Sequence, residues 1–374
     1  MSFQSNTILV ALELSSSLWL VGIRLPGAPR SRMHRISAGD TAALLTLLDG
    51  LRSHQPAISD HSAPMACCFE AGRDGFWLHR LLTANGIPTY VVEPASILVN
   101  RRAKRAKTDR IDAEGLLRVL AAYLAGDGQI CSMVRVPTPD EEDGKRVHRE
   151  REYLVQERTR IENRMLALLA TQGIRSRPSL RNWERDLAAL ETGDGRKLPP
   201  RLGAEVNRLR RRLGLVLDLI RELDAERDEI LAAAHNDAVA SKVTALRSIY
   251  GIGDNFAAVL AREVFYRSFG NRKQLASYVG LAPTPHQSGD MDRDRRIGRA
   301  GNGRARKTLV QLAWLWLRYQ PGSELSAWFR QRVGKLQGRT RRIAIVAMAR
   351  KLLIVLWRFT ETGEIPAGSA LRSS

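Results

Sequence analysis

The chain opens with three strand-like segments, TILVALEL at 7–14, SLWLVGIRL at 17–25 and RSRMHRISA at 30–38. Gaps of turn length separate them, which predicts an antiparallel meander. A three-to-four spacing of apolar residues follows in TAALLTLLDGLRS at 41–53, the signature of a helix with one buried face. The apolar run PMACCF at 64–69, a helical pattern over 74–85 and IPTYVVE at 87–93 then alternate strand, helix, strand, as a parallel α/β layer requires. From about residue 139 the period lengthens. Val206, Leu209, Leu213, Val216, Ile220, Leu223, Arg227 and Ile230 are spaced alternately by three and four, the heptad stripe of a coiled coil. Val147, Leu154, Ile161, Met165 and Leu168 repeat it less cleanly. The stretch 173–201, rich in Gly, Pro and Arg, separates the two stripes and reads as a loop. Such a hairpin of helices can pair within one chain or between chains.

These patterns predict an α/β plus α protein in three parts: a mixed-sheet domain over 1–130, a helical region over 131–240 and a mostly helical, basic domain over 241–374. Three hairpin strands followed by helix, strand, helix, strand is the element order of the ribonuclease H fold, although many folds begin this way. The last part opens with SIYGIGDNFAAVL at 248–260, where Gly251 and Gly253 flank Ile252 and Asp254 could cap the next helix. A Gly-x-Gly turn between helices exposes N–H groups to a phosphate, as helix-hairpin-helix modules do, or is a plain turn between packed helices.

Charge narrows the class. Lys and Arg number 59 against 39 Asp and Glu, a formal net charge of +20. That balance points to a polyanion, with nucleic acid the first candidate. No stretch approaches about 18 consecutive apolar residues, and the N-terminus lacks a cleavable signal pattern, so the expectation is a cytoplasmic protein with no membrane partner. The cysteines Cys67, Cys68 and Cys131 lack metal-ligand spacing, and two sit in an apolar run as small hydrophobes.

Within this basic chain the acids of the first part stand out. Glu13 ends the first strand and Glu70 ends ACCF. Asp109 and Asp112, three apart on a predicted helix, share a face and follow the run RRAKRAK, whose Arg101, Arg102, Lys104, Arg105 and Lys107 suit a nucleic-acid backbone. Four carboxylates on two strand ends and one helix face could hold Mg²⁺, a hard cation that prefers oxygen ligands, for phosphodiester transfer. Taken singly, each has a plainer role: Asp109 a helix cap, Asp112 and Asp74 first-turn acids, Glu13 a solvated strand end. The joint pattern favours a site. In the third part, Ser288 precedes Gly289 in a polar loop with His286 two residues earlier. Between Ser288 and Arg342 there are fourteen basic residues and four acids. Arg293, Arg295, Arg296, Arg304, Arg306 and Lys307 are the nearest candidates for phosphate contacts. Ser288 could attack a phosphodiester, with His286 as a base, or the Ser-Gly pair could be a simple turn. Trp314, Trp316 and Leu317 are expected in the core of the helix after Arg304.

VALELSS, CCFEAGRDGFWL, AKTDRIDAEGLL, IYGIGDNFAAVL, YVGLAPTPHQSGD and GRAGNGRARKTLVQLAWLWLRYQP resemble, in order, the blocks of the DEDD-type insertion-sequence transposases, the bridge-RNA-guided serine recombinases of bacterial mobile elements. The resemblance implies an N-terminal domain like Holliday-junction resolvases of the ribonuclease H fold, a coiled coil that supports assembly, and a C-terminal transposase domain. Carried over by motif, it places a Mg²⁺-binding tetrad on Glu13, Glu70, Asp109 and Asp112 and a nucleophile on Ser288. It further implies donor and target DNA and a non-coding bridge RNA as partners, a homodimer assembling to a tetramer with composite sites, and a bacterial, nucleoid-associated location. The family's first tetrad residue is normally Asp, and here it is Glu13. Two other readings are a structure-selective nuclease of the resolvase type with water as nucleophile, and a non-enzymatic nucleic-acid scaffold. An actin-like ATPase is disfavoured because no Gly-rich phosphate loop follows the first strand.

Overall fold

The computed structural model describes residues 6–53, 64–72, 75–97, 108–176, 178–233, 237–288, 291–297, 300–334 and 337–372, with the side chains of Ala95, 284–288 and 291–296 outside the description. The chain divides into two compact units, Met1–Thr138 and Pro139–Ser374.

In the first unit, β1 (Ile8–Leu14), β2 (Leu18–Arg24) and β3 (Arg32–Ser37) form the expected antiparallel meander. Helix α1 (Thr41–Ser53) leads to β4 (Met65–Glu70), α2 (Trp77–Ala84) to β5 (Thr89–Val92), and both later strands run parallel to β1, in the sheet order β3-β2-β1-β4-β5. Side-chain parity separates the two faces, because successive residues of a strand point to opposite sides. Ile8, Val10, Leu12, Met65, Cys67 and Phe69 pack on one face with Leu44, Leu48, Leu78 and Leu82 of α1 and α2. Ala11, Ala66 and Cys68 pack on the other, under Leu116, Leu117 and Leu120 of α3 (Asp109–Leu124). Gly22 on β2 admits α3 closely: a Cβ there would lie 3.3 Å from Leu117 Cδ1 and 3.4 Å from Ala113 Cβ.

The second unit begins with α4 (Pro139–Asp143), followed by α5 (Arg146–Ala170) and α7 (Pro200–Ala233), a long helix pair. Arg151 Nε meets Asp224 at 2.8 Å, Arg212 Nη2 meets Glu157 at 3.3 Å and Arg164 Nη2 meets Glu205 at 3.1 Å, so the helices run antiparallel. Val206, Leu213, Val216, Ile220 and Leu223 are buried against Leu154, Ile161, Met165 and Leu169. The stripe stops short of its predicted end. Ile230 is exposed, and Arg227 turns to Asp224 and Asp228. The expected loop over 173–201 also holds a short helix, α6 (Trp183–Ala188), whose Trp183 and Leu187 are buried in the hairpin core. A tryptophan's buried area, with its indole N–H donating to Asn207 Oδ1 at 2.6 Å, outweighs the turn-forming composition around it.

Beyond the pair come α8 (Ala238–Ser248), α9 (Asp254–Leu260), a π-helical turn at Ala261–Phe265 and α10 (Arg272–Val279). A hairpin of β6 (Pro283–Ser288) and β7 (Met291–Ile297) interrupts the helices, which resume as α11 (Gly303–Tyr319), α12 (Glu324–Val333) and α13 (Arg339–Thr362). Trp316 is buried and donates to Ser323 Oγ at 2.8 Å, and Leu317 packs against the same core. Trp314 corrects the expectation: it is 38% exposed and lies under the Arg341 guanidinium, 5.1 Å from its ring centre. At 100° per residue, position 314 faces away from the side that buries 309, 312, 313 and 316. No described helix is long and apolar enough to cross a membrane.

Leu117 is fully buried where α3 lies against Gly22 of the sheet. Leu117→Ala is expected to cost the first unit about 2–5 kcal/mol, the range for a buried leucine truncation, read as a lower urea midpoint with unchanged slope.

Candidate nucleic-acid and metal site

β1 and β4 pair in parallel with Leu12 opposite Phe69, so Glu13 and Glu70 occupy the next register position on neighbouring strands. Parity puts both on the α3 face, with Ala11 on one strand and Ala66 and Cys68 on the other. They line a cleft of about 430 Å³ at the carboxyl end of the sheet, together with Leu12, Ser15, Phe69, Gly72 and Gly75. Both are half-buried.

The helix brings its acids toward the same end. Its C-terminal residues Ala121, Leu124 and Ala125 share a groove with Thr7, Leu9 and Arg24, at the start of β1 and the finish of β2. Ala113 and Leu117 reach Gly22, which pairs with Ala11. Thus α3 runs antiparallel to β1, and its first turn is directed to the end that carries Glu13 and Glu70. Thr108, not Asp109, caps the helix: its hydroxyl accepts from Ile111 N at 3.3 Å. A threonine in extended backbone takes that role readily, which leaves Asp109 and Asp112 as first-turn acids, one exposed and one half-buried. Among the described residues, no three acid, His or Cys side chains stand close enough together to hold a metal. Arg101, Arg102, Lys104, Arg105, Lys107 and Asp74 lie outside the described residues. Burial pushes the Cys68 thiol far above its ordinary value, with Cys67, Cys131 and Glu70 adding to the effect, so it stays neutral beneath the acids.

In the second unit Ser288 is not in a loop. It ends β6 and pairs with Met291, while His286 pairs with Arg293. Arg295 and Arg296 lie on β7, and Gly289 and Asp290 lie outside the described residues. The hairpin forms because the polar run PTPHQS…MDRDRRI pairs with itself, a pattern without the apolar alternation by which strands are recognised.

Three of the predicted phosphate ligands bind within the protein. Arg304 pairs with Glu152 and reaches Glu263 Oε1 at 3.5 Å. Lys307 Nζ is 2.8 Å from Glu152 Oε1. Arg306 Nη1 donates to Ala300 O at 2.9 Å and Gly280 O at 3.3 Å. Gly251 and Gly253 do stand between two helices, α8 and α9. Gly251 has φ +90°, and a Cβ there would lie 2.6 Å from Tyr319 Cβ, so packing as well as backbone conformation demands glycine. Gly253 occupies the N-cap of α9, and Asp254, expected as the cap, instead meets Arg247 Nε at 2.7 Å.

Sequence reasoning missed the acid at the centre of this unit. Glu263 is 2% exposed. His148 Nε2 donates to its Oε1 at 2.9 Å, and Arg149 donates from Nε to Oε1 at 2.7 Å and from Nη2 to Oε2 at 3.0 Å. Burial by itself would raise its pKa, but the bonds from His148 and Arg149, with the Arg149 charge, hold it well below the carboxylate range. Burial likewise lowers the pKa of His148, against the pull of Glu263. The available signal was that Glu263 is the sole acid between Asp254 and Asp290, set among apolar residues.

Residues 243–327 match the model described as the transposase IS116/IS110/IS902 family, and residues 37–172 match a DEDD transposase model of the IS110 group. The chain is similar to y4rJ of Sinorhizobium fredii, itself assigned as a transposase, at 45% identity over 98% of this chain and 95% of that one. It is similar at 26% identity to the transposase of insertion sequence IS1328 from Yersinia enterocolitica, covering 81% and 85% of the two chains. The transposase of IS1111A from Coxiella burnetii is also 26% identical, over 75% of this chain and 73% of its own.

Both pKa shifts at the Glu263 centre have the same sign for stability. Below about pH 6.5 the unfolded chain binds a proton that folded His148 refuses, so stability falls by up to about 1.4 kcal/mol per pH unit. The depressed Glu263 contributes stability that is complete above its ordinary pKa and is lost progressively as pH falls from there through its folded value. Urea unfolding of the second unit at pH 7.5 and 5.5 should show the loss, and His148→Gln should reduce the difference.

Proposed function

The chain belongs to the IS116/IS110/IS902 transposase family, whose activity is DNA cleavage and strand transfer, and from that premise we propose a serine recombinase guided by RNA. The observation that carries the reading is the adjacent placement of Glu13 and Glu70 on the face covered by α3, with the first turn of α3 directed to the same end.

In this reading the first unit is a ribonuclease H-like domain, in keeping with its order β3-β2-β1-β4-β5. Glu13, Glu70, Asp109 and Asp112 supply hard oxygen donors, the ligand chemistry that Mg²⁺ prefers. A divalent ion held by them would neutralise charge on the phosphate oxygens as the phosphodiester is cut. Ser288 Oγ attacks phosphorus, one phosphate–DNA oxygen bond breaks, and the serine proton passes to a base, for which His286 is the candidate. The phosphoserine ester retains the bond for rejoining when the freed DNA oxygen, or another DNA end, attacks it. The antiparallel α5–α7 pair, whose apolar stripes are buried against each other within the chain, would join chains into dimers and tetramers through its remaining surface, so that acids of one subunit face the serine of another. Arg101, Arg102, Lys104, Arg105 and Lys107 engage nucleic-acid backbone, as do Arg293, Arg295 and Arg296. Target choice is delegated to a non-coding bridge RNA that pairs with donor and target DNA. The protein works in the bacterial cytoplasm, at the nucleoid.

Incubated with Mg²⁺, duplex DNA carrying the element's ends and transcripts of its flanking non-coding segment, the protein should form a protein–DNA adduct that survives denaturant. Ser288→Ala should abolish it, and an undiminished adduct would remove Ser288 from the chemistry. Hydrolysed ends without an adduct would support the resolvase-type nuclease instead. Asp109→Asn with Asp112→Asn should lower the adduct rate by at least about 100-fold while DNA binding persists. Glu13→Asp should change the rate by less than about tenfold if the site has adapted to the longer side chain.

A further inference from the structure

The two strands that bear Ser288 leave the helical core through a narrow neck. On one side α10 ends at Gly280 (φ +72°), and on the other Gly301 (φ +84°) precedes the cap of α11. The backbones touch there: a Cβ on Gly301 would lie 2.6 Å from Tyr278 O and 2.7 Å from Gly280 N, and one on Gly280 would lie 2.2 Å from Ala300 O. Asn302 N donates to Tyr278 O at 2.7 Å, and Arg306 Nη1 bonds a carbonyl on each side, Gly280 O and Ala300 O.

Both sides of the neck are also tied to Glu263. The Asn302 side chain uses Oδ1 to accept from Ala305 N at 3.0 Å, capping α11, and turns Nδ2 to Glu263 Oε2 at 3.2 Å and Glu263 O at 3.4 Å. From the other side, Tyr278 Oη donates to Glu263 O at 2.9 Å. Glu263 is fixed in turn by Arg149 and His148 of α5, and it sits in a π-helical turn, a local widening often found at functional sites.

We propose that Glu263 is a positioning residue for the hairpin that carries Ser288, acting through Asn302 and Tyr278 on the neck; the proposal rests on the reading of Ser288 as the nucleophile. Arg149 alone already gives both carboxylate oxygens a donor, so the Asn302 amide is not required to satisfy the charge. What it adds is direction. The amide joins the residue before α11 to a carboxylate held by α5, and so fixes the side of the neck that follows the hairpin. A misplacement of about 1 Å at a reacting atom can cost about 100-fold in rate, so a small loosening of the neck is costly to chemistry without being costly to folding.

Asn302→Ser tests this, because serine keeps the helix cap and is too short to bridge to Glu263. In the full-length protein, the amides of 283–297 should exchange hydrogen about tenfold faster while those of α11 are unchanged. The rate of adduct formation on the element-end DNA should fall about tenfold or more, with the DNA concentration at half-maximal rate within twofold of wild type. Exchange and rate both within twofold of wild type would overturn the proposal. Tyr278→Phe keeps the ring and removes only the hydroxyl, and carries the same test if Asn302→Ser does not fold. Should Ser288→Ala keep its adduct, the nucleophile reading fails and takes the catalytic meaning of the neck with it; wild-type hairpin exchange in both neck variants overturns the positioning role itself, whatever the nucleophile.

Discussion

A carboxylate taken out of water must recover its hydrogen bonds from the protein, and in the second unit that requirement is met at Glu263. The carboxylate's partners come from elements far apart in sequence, His148 and Arg149 on α5 and Asn302 and Arg304 at the start of α11, while Tyr278 on α10 donates to the backbone carbonyl of the same residue. Leaving such a charge unpaired costs about 3–5 kcal/mol, comparable to much of a domain's net stability. The helices are therefore held to one arrangement by an ion that has no cheaper alternative. The apolar core around Phe265, Leu309, Leu312 and Leu352 supplies cohesion, and the directional bonds add to it a fixed set of partners.

The first unit treats charge differently. Glu13 and Glu70 stand at strand ends, half-buried and open to a cleft, where water still solvates them. Nothing about the sheet's stability calls for two acids at adjacent register positions, and like charges there cost energy. Acids beside a cleft at one end of the sheet are suited to a ligand from outside, which is the sense of the function proposed. The protein thus carries acids of two kinds, one enclosed in the helical core and the other lining a cleft.

The strands at 7–14 and 17–25 were legible because short apolar runs bounded by gaps of turn length are what strands covered on both faces require, and Glu13 and Glu70 were legible as acids closing apolar runs. The α7 stripe was legible from Val206 to Leu223 through its spacing by three and four. The helix holding Trp183 was not, since Gly, Pro and Arg surround it and its burial comes from residues on α5 and α7. The β6–β7 hairpin was hidden by its polarity. Gly251 looked suited to phosphate and is in addition required by the ring of Tyr319, 68 positions away. Arg304, Arg306 and Lys307 were read as phosphate contacts, and a composition count could not also show that Glu152, Glu263 and two carbonyls lie beside them.

What the sequence determined by itself is what depends on near neighbours: the strand and helix periods, the turn at Gly251–Gly253, the excess of positive charge, the acids at strand ends and the ordered motifs of the family. Tertiary structure alone decided which charges face each other. Pairing of Glu263 with α5 and α11 joins residues separated by 115 and 39 positions. Partners so distant leave no periodic trace along the chain, because a side chain's environment is set by distance in space. Only the folded helices say that the acid is enclosed, and only the register of β1 against β4 says that Glu13 and Glu70 are neighbours.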